Sequence, residues 1–172
     1  EAIAELRETE FKELLDYEDV KAPEVDTAVE PDFEALLPGS YVSNVAERIN
    51  LYTQLSSVEN AEELDFMRTE LVDRFGQLPK EVENLLLTVK MKLVGKRFNA
   101  DKVKTRENQL LLFFNNDLGE DFYQAPIFGK ILAKVNTDPQ HFNFKQGKNH
   151  LILVVNANNH TQGLQLLEEL VK

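Results

Sequence analysis

The chain turns a corner at Glu70-Leu71-Val72-Asp73-Arg74-Phe75-Gly76-Gln77-Leu78-Pro79. Gly76 suits the left-handed conformation just past a helix C-terminus. Pro79 has a preset φ and no N–H, so it suits the first turn of a following helix. The stretch therefore predicts that one helix ends at Gly76 and that the next begins only a few residues later.

Three helices are predicted around this corner. The first has apolar residues at helical spacing after a Ser43-Asn44 cap, namely Val45, Ile49, Tyr52 and Leu55. The second opens at Asn60 with Glu63 three residues on, a capping-box arrangement, and its buried residues are Leu64, Met67, Leu71 and Phe75. The third covers 80–98 and has two apolar stripes, Val82, Leu85, Val89 and Leu93 beside Leu87, Met91, Val94 and Phe98, so protein should cover both of its sides.

Two β-hairpins follow in the second half of the chain. Strands are predicted at 103–105 and 110–114, and again at 142–144 and 151–155. A helical pattern follows each hairpin, at 126–135 and at 162–171. We therefore expect an α+β fold: an antiparallel helical trio, then two strand-strand-helix units that form a four-stranded, mostly antiparallel sheet with helices on one face.

The first 36 residues differ in character from the rest of the chain. A loose helical stripe, Ile3, Leu6, Phe11, Leu14 and Leu15, is followed by a stretch rich in Asp and Glu that contains Pro23 and Pro31. We predict an N-terminal helix and an acidic extended linker for 1–36, and a second domain for 37–172. A short edge strand at 25–29 is the alternative for part of the linker.

Composition disfavours some classes of protein and excludes others. The formal net charge of −11 repels nucleic acid and anionic membranes, and the absence of Cys excludes disulfides and thiolate chemistry. No apolar run approaches the roughly 20 residues that span a bilayer, and no signal peptide is recognisable. We expect a cytoplasmic protein without membrane contact. Because the chain starts at Glu1 within a helical pattern, we also expect it to be a piece of a longer protein.

The sequence does not predict an enzyme. Gly95-Lys96-Arg97 and Gly129-Lys130-Ile131 lack the glycine spacing and the hydroxyl of a phosphate-binding loop. His141, His150 and His160 are far apart in the sequence and have no carboxylate at metal-ligand spacing. We therefore expect no catalytic residue, no metal and no cofactor.

One basic cluster interrupts the acidic chain. Its members are Lys90, Lys92, Lys96, Arg97, Lys102, Lys104 and Arg106. Positive charge at the end of the third helix offsets the helix macrodipole, which explains the cluster without a ligand. Contact with nucleic acid is the other interpretation, and it lacks interleaved aromatic residues for base stacking.

Another candidate site lies on the second helix, opposite its buried residues. Glu63, Phe66, Glu70 and Asp73 follow offsets of three, four and three, so three carboxylates and one exposed aromatic share a side. The alternative is an ordinary surface, with Glu63 acting in the helix cap and Glu70 paired with Arg74 four residues later. The residues alone leave both interpretations open.

The motif Asp73-Arg74-Phe75-Gly76-Gln77-Leu78-Pro79, preceded by Leu37-Pro38, Tyr41-Val42, Arg48 and Tyr52, resembles the C-terminal domain of bacterial transcription-repair coupling factors (Mfd). The similarity in sequence to that domain extends over residues 37–98, approximately. These proteins are ATP-driven DNA translocases that remove stalled RNA polymerase and recruit nucleotide excision repair. The resemblance implies a regulatory, non-enzymatic domain.

In that family the domain docks on a UvrB-like module of the same protein, covers the surface that binds UvrA and restrains the motor until polymerase engages. The resemblance further implies that Glu70 and Asp73 face a basic surface of that module; Phe66 is not part of the family pattern. The alternatives are a stand-alone protein-interaction domain of an unrelated scaffold and a nucleic-acid module that uses the basic cluster.

Overall fold

The computed structural model describes residues 26–115 and 119–172. The predicted N-terminal helix and most of the acidic linker lie outside these residues. The helices are α1 Val45–Ser56, α2 Ala61–Phe75, α3 Lys80–Arg97, α4 Gly119–Gln124, α5 Pro126–Thr137 and α6 His160–Leu170. The strands are β1 Ala28–Glu30, β2 Lys102–Arg106, β3 Gln109–Asn115, β4 Phe142–Gln146 and β5 His150–Asn156.

Side-chain caps begin the helices where the sequence predicts them. The Asn60 side chain accepts a hydrogen bond from the Glu63 N–H at 2.8 Å. The return bond differs from a capping box, because Glu63 Oε2 accepts from the N–H of Glu59, the residue before the cap, at 2.8 Å. Pro79 is the N-cap of α3 rather than a residue of its first turn, and its carbonyl accepts from the N–H groups of Val82 and Glu83.

Gly76 ends α2, and its N–H donates to the Val72 carbonyl at 2.9 Å. The positive φ predicted for it is present, with φ 92° and ψ −164°. This is an extended conformation that essentially only glycine adopts, and it differs from the left-handed helical one that the sequence pattern indicated. A residue with a Cβ at position 76 would therefore strain the backbone where it leaves α2.

Within the described residues the sheet has five strands in the order β1-β2-β3-β5-β4, one more than predicted. Both predicted hairpins are present, with antiparallel pairing of β2 to β3, β3 to β5 and β4 to β5. The additional strand β1 lies parallel to β2, with Val29 opposite Val103. Strand β1 overlaps residues 25–29, for which a short edge strand was the alternative to an extended linker. The division of the chain into two domains at residue 36 stays a prediction.

Helix α3 connects two hydrophobic clusters, as its two apolar stripes predict. Val82 is buried among α1 and α2, as is Leu86, which belongs to neither stripe. Met91 and Val94 are buried against the sheet. Helices α3, α5 and α6 pack on one face of the sheet. Leu112 and Leu153 of the sheet point to these helices, and both are fully buried.

Only part of the apolar stripe that identifies α1 is buried. Leu55 of the stripe is buried, but Val45 and Ile49 are 59% and 61% exposed, and the buried Leu51 lies outside the stripe. Periodicity alone therefore identifies the helix but not the side that packs. Tyr52, also of the stripe, is 38% exposed, and its hydroxyl oxygen accepts a hydrogen bond from the Leu37 N–H at 2.7 Å.

The short helix α4 was not predicted. It carries Phe122 into the cluster against the sheet, where its ring centroid is 5.1 Å from that of Phe114 and 5.3 Å from that of Phe128. Six residues offer too few periods for a helical pattern to be recognised in the sequence.

Candidate interaction surface on helix α2

The outward side of α2 carries Glu63, Phe66, Glu70 and Asp73, which we call the acidic face. Phe66 is 69% exposed. On the other side of the helix Leu64, Met67 and Leu71 are buried, and Phe75 is half-buried. Burial of that apolar side therefore orients the four residues toward solvent, in the arrangement that their spacing indicates.

The three carboxylates of the acidic face differ in how far the fold already engages them. Glu63 accepts the N–H of Glu59 in the helix cap. Glu70 lies 3.6 Å from Arg74 Nη1. Within the described part of the chain, Asp73 makes no hydrogen bond or ion pair. Asp73 is thus the carboxylate most available to a partner.

Arg74 ties α1 to α2. Its Nη2 atom donates to Glu47 Oε1 at 2.5 Å, and its guanidinium lies 4.9 Å from the centroid of the Phe75 ring. Exposed ion pairs of this kind contribute only about 0.2–1 kcal/mol. Sequence spacing indicated the Glu70 pair, but it contained no signal for Glu47, which is 27 residues away.

Tyr41 closes the corner that follows the acidic face. Its hydroxyl donates a hydrogen bond shared between the carbonyls of Leu71 and Gly76, each 2.9 Å away, and its ring centroid lies 5.7 Å from that of Phe75. Burial raises the pKa of the Tyr41 hydroxyl above its usual value. Leu78 packs against the same cluster. The turn between α2 and α3 is thus formed by Arg74, Phe75, Gly76, Leu78 and Pro79.

A groove of about 560 Å³ borders the acidic face. Gln54 and Ser57 from the end of α1 line one wall, while Phe66 and Glu70 line the other. Phe66 is thus the rim of a depression rather than an isolated side chain. The sequence alone does not indicate this groove, because residues of two different helices line it.

The three histidines lie apart and have local partners. His141 Nδ1 is 2.9 Å from Asp138 Oδ1, and His160 Nε2 is 2.6 Å from the Glu107 carbonyl oxygen. His150 Nε2 is 3.6 Å from Asp101 Oδ2. Among residues 26–115 and 119–172, no three His, Asp or Glu side chains converge where they could hold a metal ion.

The basic cluster of the sequence is divided by the fold. Lys96 and Arg97 lie in the last turn of α3, where positive charge offsets the helix dipole. Lys102, Lys104 and Arg106 alternate along β2 with the buried residues Val103 and Thr105, so they lie on the sheet face away from the helices.

Comparison with known proteins assigns the chain to a family. The family profile described as "TRCF domain" matches residues 32–125, more than half of the chain. A transcription-repair-coupling factor of Staphylococcus haemolyticus is 32% identical over 111 residues, 64% of this chain and 9% of that protein. The protein of that name in Rickettsia prowazekii is 36% identical over 78 residues, 45% of this chain and 7% of that protein. The match thus spans less than a tenth of either relative.

The crystal structure of the C-terminal domain of transcription-repair coupling factor has the same fold. It superposes with a TM-score of 0.63 and 19% sequence identity, covering 84% of this chain and 91% of that one. The molecule is therefore an α+β domain in which a helical trio adjoins a sheet backed by helices. The chain belongs to the TRCF domain family, and the relatives that it matches are transcription-repair coupling factors.

Each helix of the described residues is too short or too polar to span a bilayer.

Proposed function

We propose that this chain is a non-enzymatic, autoinhibitory domain of a cytoplasmic transcription-repair coupling factor. Its acidic face docks on the UvrB-like module of the same protein and masks the surface that binds UvrA. Docking also restrains the ATP-driven DNA translocase until RNA polymerase engages. One observation carries this proposal: Phe66 is 69% exposed and lies beside the carboxylates of Glu70 and Asp73, on a helix whose other side is buried.

The chemistry of the acidic face suits a protein partner with a basic surface. Aromatic side chains near the centre of an interface often supply most of its binding energy, and Phe66 holds that position among the carboxylates. Complementary charge adds specificity and speeds association. Asp73 is free to pair with a cation of the partner, whereas Glu70 would have to share its carboxylate with Arg74.

A contact of this kind is strong enough to lock a motor and weak enough to release it. Hydrogen bonds to charged groups contribute about 1.5–3 kcal/mol each when well formed. Moving a population from 1:99 to 99:1 requires roughly 5.5 kcal/mol. A few such bonds therefore suffice, and competing contacts made when polymerase binds could remove them.

The non-enzymatic part of the proposal is supported by the sequence, which has no phosphate-binding loop. The family supports it as well, because the match spans less than a tenth of the two relatives described above. A segment of that size is one domain of a much longer chain. We assign the motor and the nucleotide site to other parts of such a protein.

We predict that Glu70→Ala with Asp73→Ala weakens binding of this chain to the UvrB-like module, with the fold intact. Removing one partner of a desolvated charge pair costs about 2–5 kcal/mol, much of it from the basic group left unpaired. Calorimetric titration of the module with parent and variant measures the loss. Asp73→Ala alone should weaken binding more than Glu63→Ala, because Glu63 is already engaged in the helix cap.

A matched control replaces two exposed carboxylates of the sheet half, Glu120→Ala with Glu169→Ala, and should bind like the parent. In a full-length coupling factor that carries this domain, the acidic-face variant should bind UvrA more tightly and hydrolyse ATP faster without polymerase. Equal affinities for UvrA in the variant and the parent, both folded by circular dichroism, would mean that the acidic face is only a solvated surface.

A further inference from the structure

The sheet face away from the helices, which we call the outer face, has an apolar centre. Leu111 and Phe113 of β3 stand beside Val154 and Ile152 of β5, their cross-strand partners. All four are half-buried or buried, yet none belongs to either hydrophobic cluster of the described residues. An outward face of an antiparallel sheet normally carries polar residues, so this apolar strip is a feature to be explained.

Basic residues flank the apolar strip on both sides. On β2, Lys104 lies opposite Leu111 and Lys102 lies opposite Phe113. On β4, Lys145 lies opposite Ile152. Lys104 and Lys145 are exposed, and neither makes a hydrogen bond or ion pair with a residue that the structure describes. Two lysines without a partner among the described residues thus lie on one face of a chain whose net charge is −11.

The width of the outer face matches one helix. Strands β2 and β4 are three strand intervals apart, about 14–15 Å at the usual spacing. A helix with its side chains is roughly 10–12 Å across. A helix over β3 and β5 would therefore bury an apolar stripe on the centre and bring acidic side chains within reach of Lys104 on one side and Lys145 on the other.

The chain contains a sequence of this character. Residues 1–25 include nine acidic and three basic residues, and their apolar residues recur in the stripe Ile3, Leu6, Phe11, Leu14 and Leu15. The segment joins the sheet at β1, which neighbours the basic strand β2. A carboxylate of β1 already contacts the outer face, since Glu30 Oε2 is 3.6 Å from Lys102 Nζ.

We propose that the outer face is the docking surface of the acidic segment formed by residues 1–25 of the same chain. The apolar stripe of the segment covers Leu111, Phe113, Ile152 and Val154, and its carboxylates pair with the flanking lysines. The tether to β1 keeps the segment at a high effective concentration near the face, so weak contacts suffice.

Nucleic acid suits this face less well. The centre is mostly aliphatic, and bases stack on aromatic rings. The one aromatic residue of the strip, Phe113, is half-buried, and the Lys102 ammonium lies 4.5 Å from its ring centroid. The net charge of −11 adds long-range repulsion of a phosphate backbone.

The test uses residues 1–172, which include no cysteine, so spin labels can be attached at two introduced sites. Glu10→Cys labels the acidic segment, and Asn143→Cys labels the outer face on β4. Pulsed electron–electron double resonance then measures the distance between the two labels. We expect a narrow distance distribution at low salt that broadens at high salt, because charge pairing is screened.

Lys104→Glu with Lys145→Glu should abolish the narrow component. Lys130→Glu with Lys172→Glu makes the same change of charge away from the outer face and should retain it. A broad distribution in the parent, or a narrow one that the outer-face variant leaves unchanged, would overturn the proposal. Mixing singly labelled chains separates docking within one chain from docking between chains, and a signal only in the mixture would also overturn it.

A second experiment tests whether the outer face binds nucleic acid. It measures the fluorescence anisotropy of a fluorescein-labelled single-stranded oligonucleotide of 20 thymidines as protein is added. We expect the parent protein to leave the anisotropy unchanged. Binding that is lost in the outer-face variant, together with a broad distance distribution, would reassign the face to nucleic acid and overturn the proposal.

Discussion

At the scale of single residues, the backbone conformation at Gly76 favours glycine over every other residue. A Cβ added there would meet no atom within 4 Å, so a larger residue has the space it needs. The difficulty is local, because φ 92° with ψ −164° is a region that residues with a Cβ avoid at a cost of about 1–3 kcal/mol.

We predict that Gly76→Ala lowers the free energy of unfolding by about 1–3 kcal/mol. Gly129→Ala is the matched control, since Gly129 lies in α5, also has open space around its Cβ position and does not have a positive φ. There alanine should raise stability by roughly 0.5–1 kcal/mol, as expected within a helix. Urea titration of the two variants should give opposite signs, and equal signs would contradict the strain argument.

Asp32 connects the segment after β1 to the β2–β3 hairpin. Its Oδ1 accepts from the Thr105 hydroxyl at 2.6 Å, and its Oδ2 accepts from the Glu107 N–H at 2.7 Å. The Thr105 bond is the main cause that holds the pKa of Asp32 below its usual value, with smaller contributions from the Glu107 N–H and the nearby His160. The charged form of Asp32 therefore stabilises the fold.

This lowered pKa predicts how stability depends on pH. The contribution of Asp32 is complete above its unfolded pKa, near 3.8, and is lost as pH falls through the lower folded value. Asp32→Asn removes the contribution, since an amide NH2 would face a donor. Urea titrations should show the variant less stable than the parent at pH 7 and the difference shrinking below pH 4. A constant difference would contradict this role.

At the scale of elements, α3 approaches the edge of the sheet closely at Gly95. A Cβ at this position would lie 2.6 Å from Thr27 Cγ2 and 2.7 Å from Val103 Cγ2. Thr27 is buried, and its hydroxyl donates to the Ala100 carbonyl at 2.8 Å. The glycine thus allows α3, β1 and β2 to pack together.

We predict that Gly95→Ala destabilises the domain by about 1–3 kcal/mol, the usual cost of overpacking, although alanine favours the helix itself. Hydrogen exchange should locate the loss at β1, whose neighbours must move. Lys96→Ala is the control, because Lys96 is exposed on the same turn and should have little effect. Unchanged protection at β1 in the Gly95 variant would indicate that the close approach is relieved elsewhere.

At the scale of the whole molecule, α3 belongs to both hydrophobic clusters. Its residues Val82 and Leu86 are buried with α1 and α2, and its residues Met91 and Val94 are buried with the sheet. Neither cluster is complete without this helix. We therefore expect the helical half and the sheet half to unfold in one cooperative transition.

The chain has no Trp, so each half can be followed by one introduced probe. Phe75→Trp reports on the helical cluster and Phe144→Trp on the cluster against the sheet. When each variant is followed both by its Trp fluorescence and by circular dichroism, the two signals should have the same urea midpoint. A Trp transition that precedes the dichroism change in one variant would show that the two halves unfold separately.

The sequence by itself determined the helical trio, the two hairpins, the corner at Gly76 and the outward direction of Phe66. Caps, periodicity and a required positive φ act over a few residues, so a linear pattern contains them. Only the tertiary structure decided that β1 joins the sheet, which side of α1 is buried and that Glu47 reaches Arg74. It also created the groove beside Phe66 and placed Lys145 across the sheet from Lys104. Such contacts join residues far apart in the chain, 73 positions for Thr27 and Ala100, and their energy depends on packing that no local pattern encodes.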